Sequence, residues 1–128
     1  MKAIVSTGDG WLVVDLDTEE VEPCDAPLTQ PEIEHPSLPR VLDADASGST
    51  VIALVDARPP LLVSYDAGTT WNESGRGLPT GVAVALSRDD PDVGVYATED
   101  RLYVTRDGGR FWRRLELELD AIGDVQLD

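Results

Sequence analysis

Two eight-residue segments, SYDAGTTW (Ser64–Trp71) and TRDGGRFW (Thr105–Trp112), agree at hydroxyl, Asp, Gly and Trp. Their aspartates, Asp66 and Asp107, stand 41 residues apart. The flanks agree too: LLV (61–63) with LYV (102–104), and VIALVDA (51–57) with VGVYATE (93–99). A repeat of about 40 residues with room for four short strands has the period of a propeller blade. The motif has a physical reading. The hydroxyl residue ends one strand, and the Asp accepts backbone N–H bonds inside its own turn. The Gly supplies a positive φ. The Trp opens the next strand and buries apolar area against a neighbouring sheet. Ser64, Asp66, Gly68, Trp71, Thr105, Asp107, Gly109 and Trp112 are therefore assigned a structural role. They contain no acid–base pair, nucleophile or ligand set.

The rest of the chain reads as all-β. Apolar residues fall in short β-rich runs separated by Gly, Pro, Asp and Asn, and no run has the length and period of a long helix. Strands are expected near 2–6, 11–16, 20–23, 40–45, 50–56, 61–65, 70–73, 81–87, 93–98, 101–105, 111–117 and 121–127. In 111–117, Phe111, Arg113, Leu115 and Leu117 share one face, as in an outer, half-exposed strand. Residues 23–40 carry Pro23, Pro27, Pro31, Pro36 and Pro39. That density fits neither a central strand nor a helix, and predicts a long surface loop.

The two segments resemble the Asp box of the sialidase-type (BNR) repeats. Such repeats also occur in sortilin-like receptors, in photosystem II assembly factors and in many glycan-active propellers. The stretch GLPTGVAVALSRDDPDVGVYATEDRLYVTRDGGRFW is similar to the family pattern of Gly-Leu-Pro, apolar strand, Asp-Pro, Tyr-Ala-Thr and a further box. The resemblance covers roughly residues 41–117. It implies blades of four antiparallel strands, A to D. It also implies boxes on the C-to-D turns, away from the binding face, and a binding face built by the D-to-A and B-to-C loops.

A third unit sits at the two ends. LVVDLDTEEV (12–21) aligns with LVSYDAGTTW (62–71), with Asp17 at the place of Ala67 and Val21 at that of Trp71. It reads as a blade with an eroded box and no strand A, while AIGDVQLD (121–128) reads as a strand A without a blade. The expected units are strands B to D at about 2–23 followed by the Pro-rich loop, a blade at 40–74, a blade at 80–117, and the strand 121–128. This is three blades' worth of strands, whereas closed propellers have about four to eight blades. The expectation is a homodimeric ring of six blades, with each C-terminal strand completing the first blade of the partner. A fragment of a longer propeller and an open stack of three sheets are the competing expectations. A seven-strand sandwich accommodates the boxes poorly.

Composition sets the functional bounds. The 128 residues are 41% hydrophobic, which is enough for a core. With 25 acidic and 10 basic residues the net charge is −15, which argues against nucleic acid or an anionic membrane as partner. The basic residues are nine Arg and one Lys. That balance is halophile-like, and high salt would screen the self-repulsion. One cysteine, Cys24, allows no intrachain disulfide. The N-terminal segment lacks the apolar core of a signal peptide, and no stretch has the ~20 apolar residues of a membrane-spanning helix. The expected location is the cytoplasm.

For a ligand, a glycan or a protein, the loops at the binding face nominate Asp9, Trp11, Arg58, Asp100 and Arg101. Sialidase-like chemistry would need three arginines on a carboxylate, a Tyr–Glu nucleophile pair and an acid. Arg40, Arg58, Arg76, Tyr65, Tyr96 and Tyr103 supply residue types but match no catalytic motif. His35, the only histidine, has no triad partner legible from spacing. Asp43/Asp45 and Asp89/Asp90/Asp92 are carboxylate clusters of the kind Ca²⁺ takes, without the spacing of an EF-type loop. No metal, cofactor or catalytic residue is assigned. The chain reads as a non-enzymatic binding or scaffold module, with a sialidase-like glycoside hydrolase as the alternative.

Overall fold

The structure is a computed structural model, and it describes residues 1–25 and 41–127. Most of the Pro-rich segment, with His35 and Arg40, lies outside the described residues. Twelve strands follow in chain order: β1 (Lys2–Thr7), β2 (Gly10–Asp15), β3 (Val21–Pro23), β4 (Val41–Ser47), β5 (Thr50–Val55) and β6 (Leu61–Ser64). They continue as β7 (Asn72–Ser74), β8 (Ala83–Leu86), β9 (Gly94–Ala97), β10 (Leu102–Thr105), β11 (Arg113–Arg114) and β12 (Asp124–Leu127). They form three four-stranded antiparallel sheets in a propeller-like arrangement. Sheet 1 has the order β12-β1-β2-β3, sheet 2 β4-β5-β6-β7 and sheet 3 β8-β9-β10-β11.

Sheet 1 is completed within one chain. β12 pairs antiparallel with β1, with Ala3 opposite Leu127 and Val5 opposite Val125. The last strand is therefore not left over for a partner, as the strand count had suggested. The alternation along both strands explains the pairing. Ala3, Val5, Val125 and Leu127 fall on one face and are all buried.

The innermost strand β8 packs beside both β4 and β12, so sheet 3 stands between the other two. Sheets 1 and 2 share no comparable contact among the described residues. The spatial order is sheet 2, sheet 3, sheet 1. Two apolar layers result. One joins Ala3, Val5, Val14 and Leu16 of sheet 1 and its turn to Val95, Leu102, Val104 and Leu115 of sheet 3 and its flank. The other joins Ile52, Leu54, Leu61 and Val63 of sheet 2 to Val84, Leu86 and Tyr96 of sheet 3.

The two repeated turns close the outer hairpins. Ser64 Oγ donates to Asp66 Oδ1 at 2.7 Å and accepts from Gly68 N at 2.8 Å. Asp66 Oδ1 also accepts from Thr70 N at 2.8 Å. Thr105, Asp107 and Gly109 repeat the pattern: Thr105 Oγ1 donates to Asp107 Oδ1 at 2.8 Å and accepts from Gly109 N at 2.9 Å. Asp107 Oδ1 then accepts from Phe111 N at 3.0 Å. Gly68 and Gly109 both have φ of 90°, a left-handed backbone that a side chain would strain. The second turn also joins sheets. Ser74 Oγ, on β7, donates to Gly109 O and accepts from Trp112 Nε1 at 3.0 Å. The Tyr65 hydroxyl donates to Gly108 O at 2.8 Å, under the Arg110 guanidinium.

One local expectation is corrected, and the eroded turn has a cap of its own. The strand expected over 111–117 is reduced to Arg113–Arg114. Phe111 is 70% exposed while Leu115 is fully buried, so the two do not share one half-exposed face. The Asp107 turn uses the backbone N–H of Arg110 and Phe111, which delays entry into the strand. In the eroded turn of sheet 1, Leu16 occupies the place of Asp66 and is buried in the core. Asp15, one residue earlier, accepts from Asp17 N and Thr18 N and shapes the turn instead.

Trp112→Ala removes a large side chain and the indole bond to Ser74. It should cost about 3 kcal/mol in urea unfolding. A variant as stable as the parent would show that the turn does not tie sheet 2 to sheet 3.

Candidate functional site

Hairpin topology places the β1–β2, β5–β6 and β9–β10 turns at one end of the arc, with the segments that lead from each outermost strand to the next innermost one. That end holds the sequence-nominated residues, and the structure treats them differently.

Arg101 is committed to the fold. Its Nη1 donates to Glu116 O at 2.8 Å, and its Nη2 pairs with Glu118 Oε1. Asp100 belongs to the same clamp: its Oδ1 accepts from Thr98 Oγ1 at 3.3 Å and its carbonyl from Leu119 N at 2.9 Å. Together they hold the 115–123 segment over the β9–β10 turn. Gly8 N donates to Asp120 O at 3.0 Å, which fastens the β1–β2 turn to the same segment. Asp9 is exposed beside it. Trp11, the second residue of β2, is half-buried and lies opposite Ser6 on the side of sheet 1 away from the core.

Arg58 is exposed on the turn before β6, next to a cis peptide bond to Pro59. It edges a recess of about 150 Å³ lined by Leu42, Val55, Pro60, Leu78 and Gly81. Ligand pockets usually measure about 300–1,000 Å³, so this recess alone admits only a small group. Arg58 and Arg76 also flank a neighbouring hollow with Pro59 and Leu78. Arg76 pairs with Glu73 at 3.6 Å, both well exposed.

The three tyrosines are placed for packing. Tyr96 is fully buried, and its hydroxyl donates to Pro79 O. Burial pushes its phenol up to about 12, with a smaller contribution from Tyr103. Tyr103 packs on it with ring centroids 6.0 Å apart. Tyr65 lies on a repeated turn, at the opposite end from Arg58.

Sequence reasoning missed the role of Asp43 and Asp45. Both are half-buried on β4 and face sheet 3. Asp43 Oδ2 accepts from Val84 N at 3.0 Å, and Asp45 Oδ2 from Leu86 N at 2.7 Å. These carboxylates satisfy the inner edge of β8 across the seam between sheets. Burial raises both above the ordinary carboxylate range, opposed by those backbone bonds. The legible signal was the Asp-x-Asp spacing on a strand, which puts both side chains on one face. Glu19 was missed as well: its Oε1 accepts from Glu116 N at 2.7 Å and Leu117 N at 3.0 Å. Among Asp89, Asp90 and Asp92, Asp90 Oδ1 accepts from Asp92 N at 3.1 Å, an ordinary turn bond.

Comparison with protein-family models and with curated proteins finds no match for this chain.

The carboxylates separate by sign. Hydrogen bonds from Thr70 and Ser64 pull Asp66 down to about 2, from 3.8. Its contribution is present above pH 3.8 and is lost as pH falls toward about 2. Asp45 behaves oppositely: its raised pKa makes the folded state favour the proton, so stability falls as pH rises through that pKa. Asp45→Asn, which keeps an acceptor for Leu86 N, should be at least as stable as the parent at pH 7. The advantage should close toward pH 3.8. Asp66→Asn should be destabilised most at pH 7 and least near pH 2. Urea midpoints across this range check both, and equal pH profiles for the two variants would contradict the assignment.

Proposed function

We propose that this chain is half of a β-propeller and works as a non-enzymatic binding or scaffold module, two copies forming a ring of six sheets. One observation carries the reading: the order sheet 2, sheet 3, sheet 1 is an arc whose two outer sheets each have a face that no described strand covers. Such a ring needs no strand exchange, since each sheet is already complete in its own chain. The motif resemblance to sialidase-type repeats supports the same architecture.

The ligand face of the module is the end bearing Arg58, Asp9 and the Arg101 clamp. Twofold symmetry would set each loop twice around one opening. The recess beside Arg58 is small within one chain, and the opening of the ring offers the larger concavity. Arg58 and Arg76 would give that face its cationic contacts for an acidic glycan or protein.

Two copies carry twice the charge of −15, so association should depend on salt. Light scattering should give twice the chain mass in molar salt and a smaller mass at roughly 0.01 M, where screening reaches only beyond about 30 Å. A monomer at every salt concentration would end the ring reading. A panel of fluorogenic glycosides should remain uncleaved. Cleavage lost on changing an acidic residue at the Arg58 end would put a hydrolase in its place.

A further inference from the structure

Each sheet turns the same register slots toward the sheet that follows it in the order sheet 2, sheet 3, sheet 1. On the innermost strands these slots hold Asp43 and Asp45, Ala83 and Ala85, and Asp124 and Gln126. On the third strands they hold Leu61 and Val63, Leu102 and Val104, and Trp11 and Val13. Leu61 and Leu102 are both 0% exposed, because a following sheet covers them. Trp11 and Val13 are half-exposed in the same slots. One face is thus covered twice within the chain and left uncovered once.

The covered seam shows how one sheet meets the next. Asp45 bridges two innermost strands: Oδ1 accepts from Ala46 N of its own strand at 2.9 Å, and Oδ2 from Leu86 N of the next at 2.7 Å. Asp124 repeats the near half, its Oδ1 accepting from Val125 N at 2.9 Å. The backbone donors differ between the two seams, since in sheet 2 the N–H groups of Ala44 and Ala46 are already held by Asp43 and Asp45. Val84 and Leu86 donate at the covered seam, and the same slots of sheet 2 hold Ala44 and Ala46. Ala44 and Ala46 are half-exposed, and Leu42 beside them is 53% exposed. Size is complementary as well. Small Ala44 and Ala46 replace Val84 and Leu86 on one side, and large Trp11 replaces Leu61 on the other.

Granted the ring proposed above, we infer that the uncovered face of sheet 1 docks on sheet 2 of a second copy. Trp11 is the apolar anchor, and Asp124 and Gln126 lie along the innermost edge of the contact. The contact continues the seam that Asp43 and Asp45 make inside the chain. Twofold symmetry makes it twice, and the ring closes. A Trp buried in a well-packed, desolvated part of an interface is the usual chemistry of a dominant anchor.

The test is cysteine linking in the full chain. Ala46→Cys and Gln126→Cys are placed together on a Cys24→Ser background and treated with a short bis-maleimide in molar salt. A covalent dimer on a denaturing gel is expected, with none from Ala46→Cys or Gln126→Cys with the reagent omitted. Dimers by light scattering that do not link would overturn the seam and leave the ring standing. A ladder of higher multimers would overturn closure. A parent chain that is monomeric by light scattering would remove the ring itself. Should the cysteine pair fail to fold, Trp11→Ala serves as the second variant. Losing the anchor side chain at each seam should weaken dimerisation by about thirtyfold or more, and an unchanged dissociation constant would overturn the assignment.

Discussion

The pairing of β12 with β1 is the contact on which the rest of the structure depends. β12 is the innermost strand of sheet 1 and also lies against β8 and β9 of sheet 3. It therefore contributes a hydrogen-bonded ladder in one direction and an apolar layer in the other. Without it β1 would be an open inner edge, and Ala3 and Val5 would lose their neighbours Leu127 and Val125. Joining the two chain ends in one sheet also makes an arc from what would otherwise be two units and two loose segments.

The seams between sheets share a design but not a composition. Between sheets 3 and 1 the innermost contact is apolar, with Ala83 and Ala85 in the core. Between sheets 2 and 3 it is polar, with carboxylates holding the backbone of β8. Burying a charge is costly unless hydrogen bonds accompany it. Asp43 and Asp45 show both effects at once, burial raising their pKa and backbone donors opposing it. The repeated turns add a second tie at the other radius, where Ser74 meets both Gly109 and Trp112. An acidic chain thus spends some of its carboxylates as backbone acceptors inside the fold.

Much of the architecture is legible in the sequence. The periodic turns gave the number and strand content of the two full sheets, because hydroxyl, Asp, Gly and Trp act within eight residues. The eroded unit was legible from its alignment, although the shift of the capping role from position 16 to Asp15 was not. The candidate site was much less legible. Arg101 and Arg58 look alike in sequence, both arginines in turns. Glu116 and Glu118, 15 and 17 residues along the chain from Arg101, decide that one is tied down while the other is exposed.

Local chemistry therefore determined the all-β class, the turns and the alternation that gives each strand one buried face. Those properties depend on neighbours within a few residues. Tertiary structure alone decided that the last strand completes the first sheet of its own chain and that sheet 3 lies in the middle. It also decided which face of sheet 1 remains uncovered. Each of these is a choice among partners distant in sequence, and strand patterning is the same whichever partner is taken.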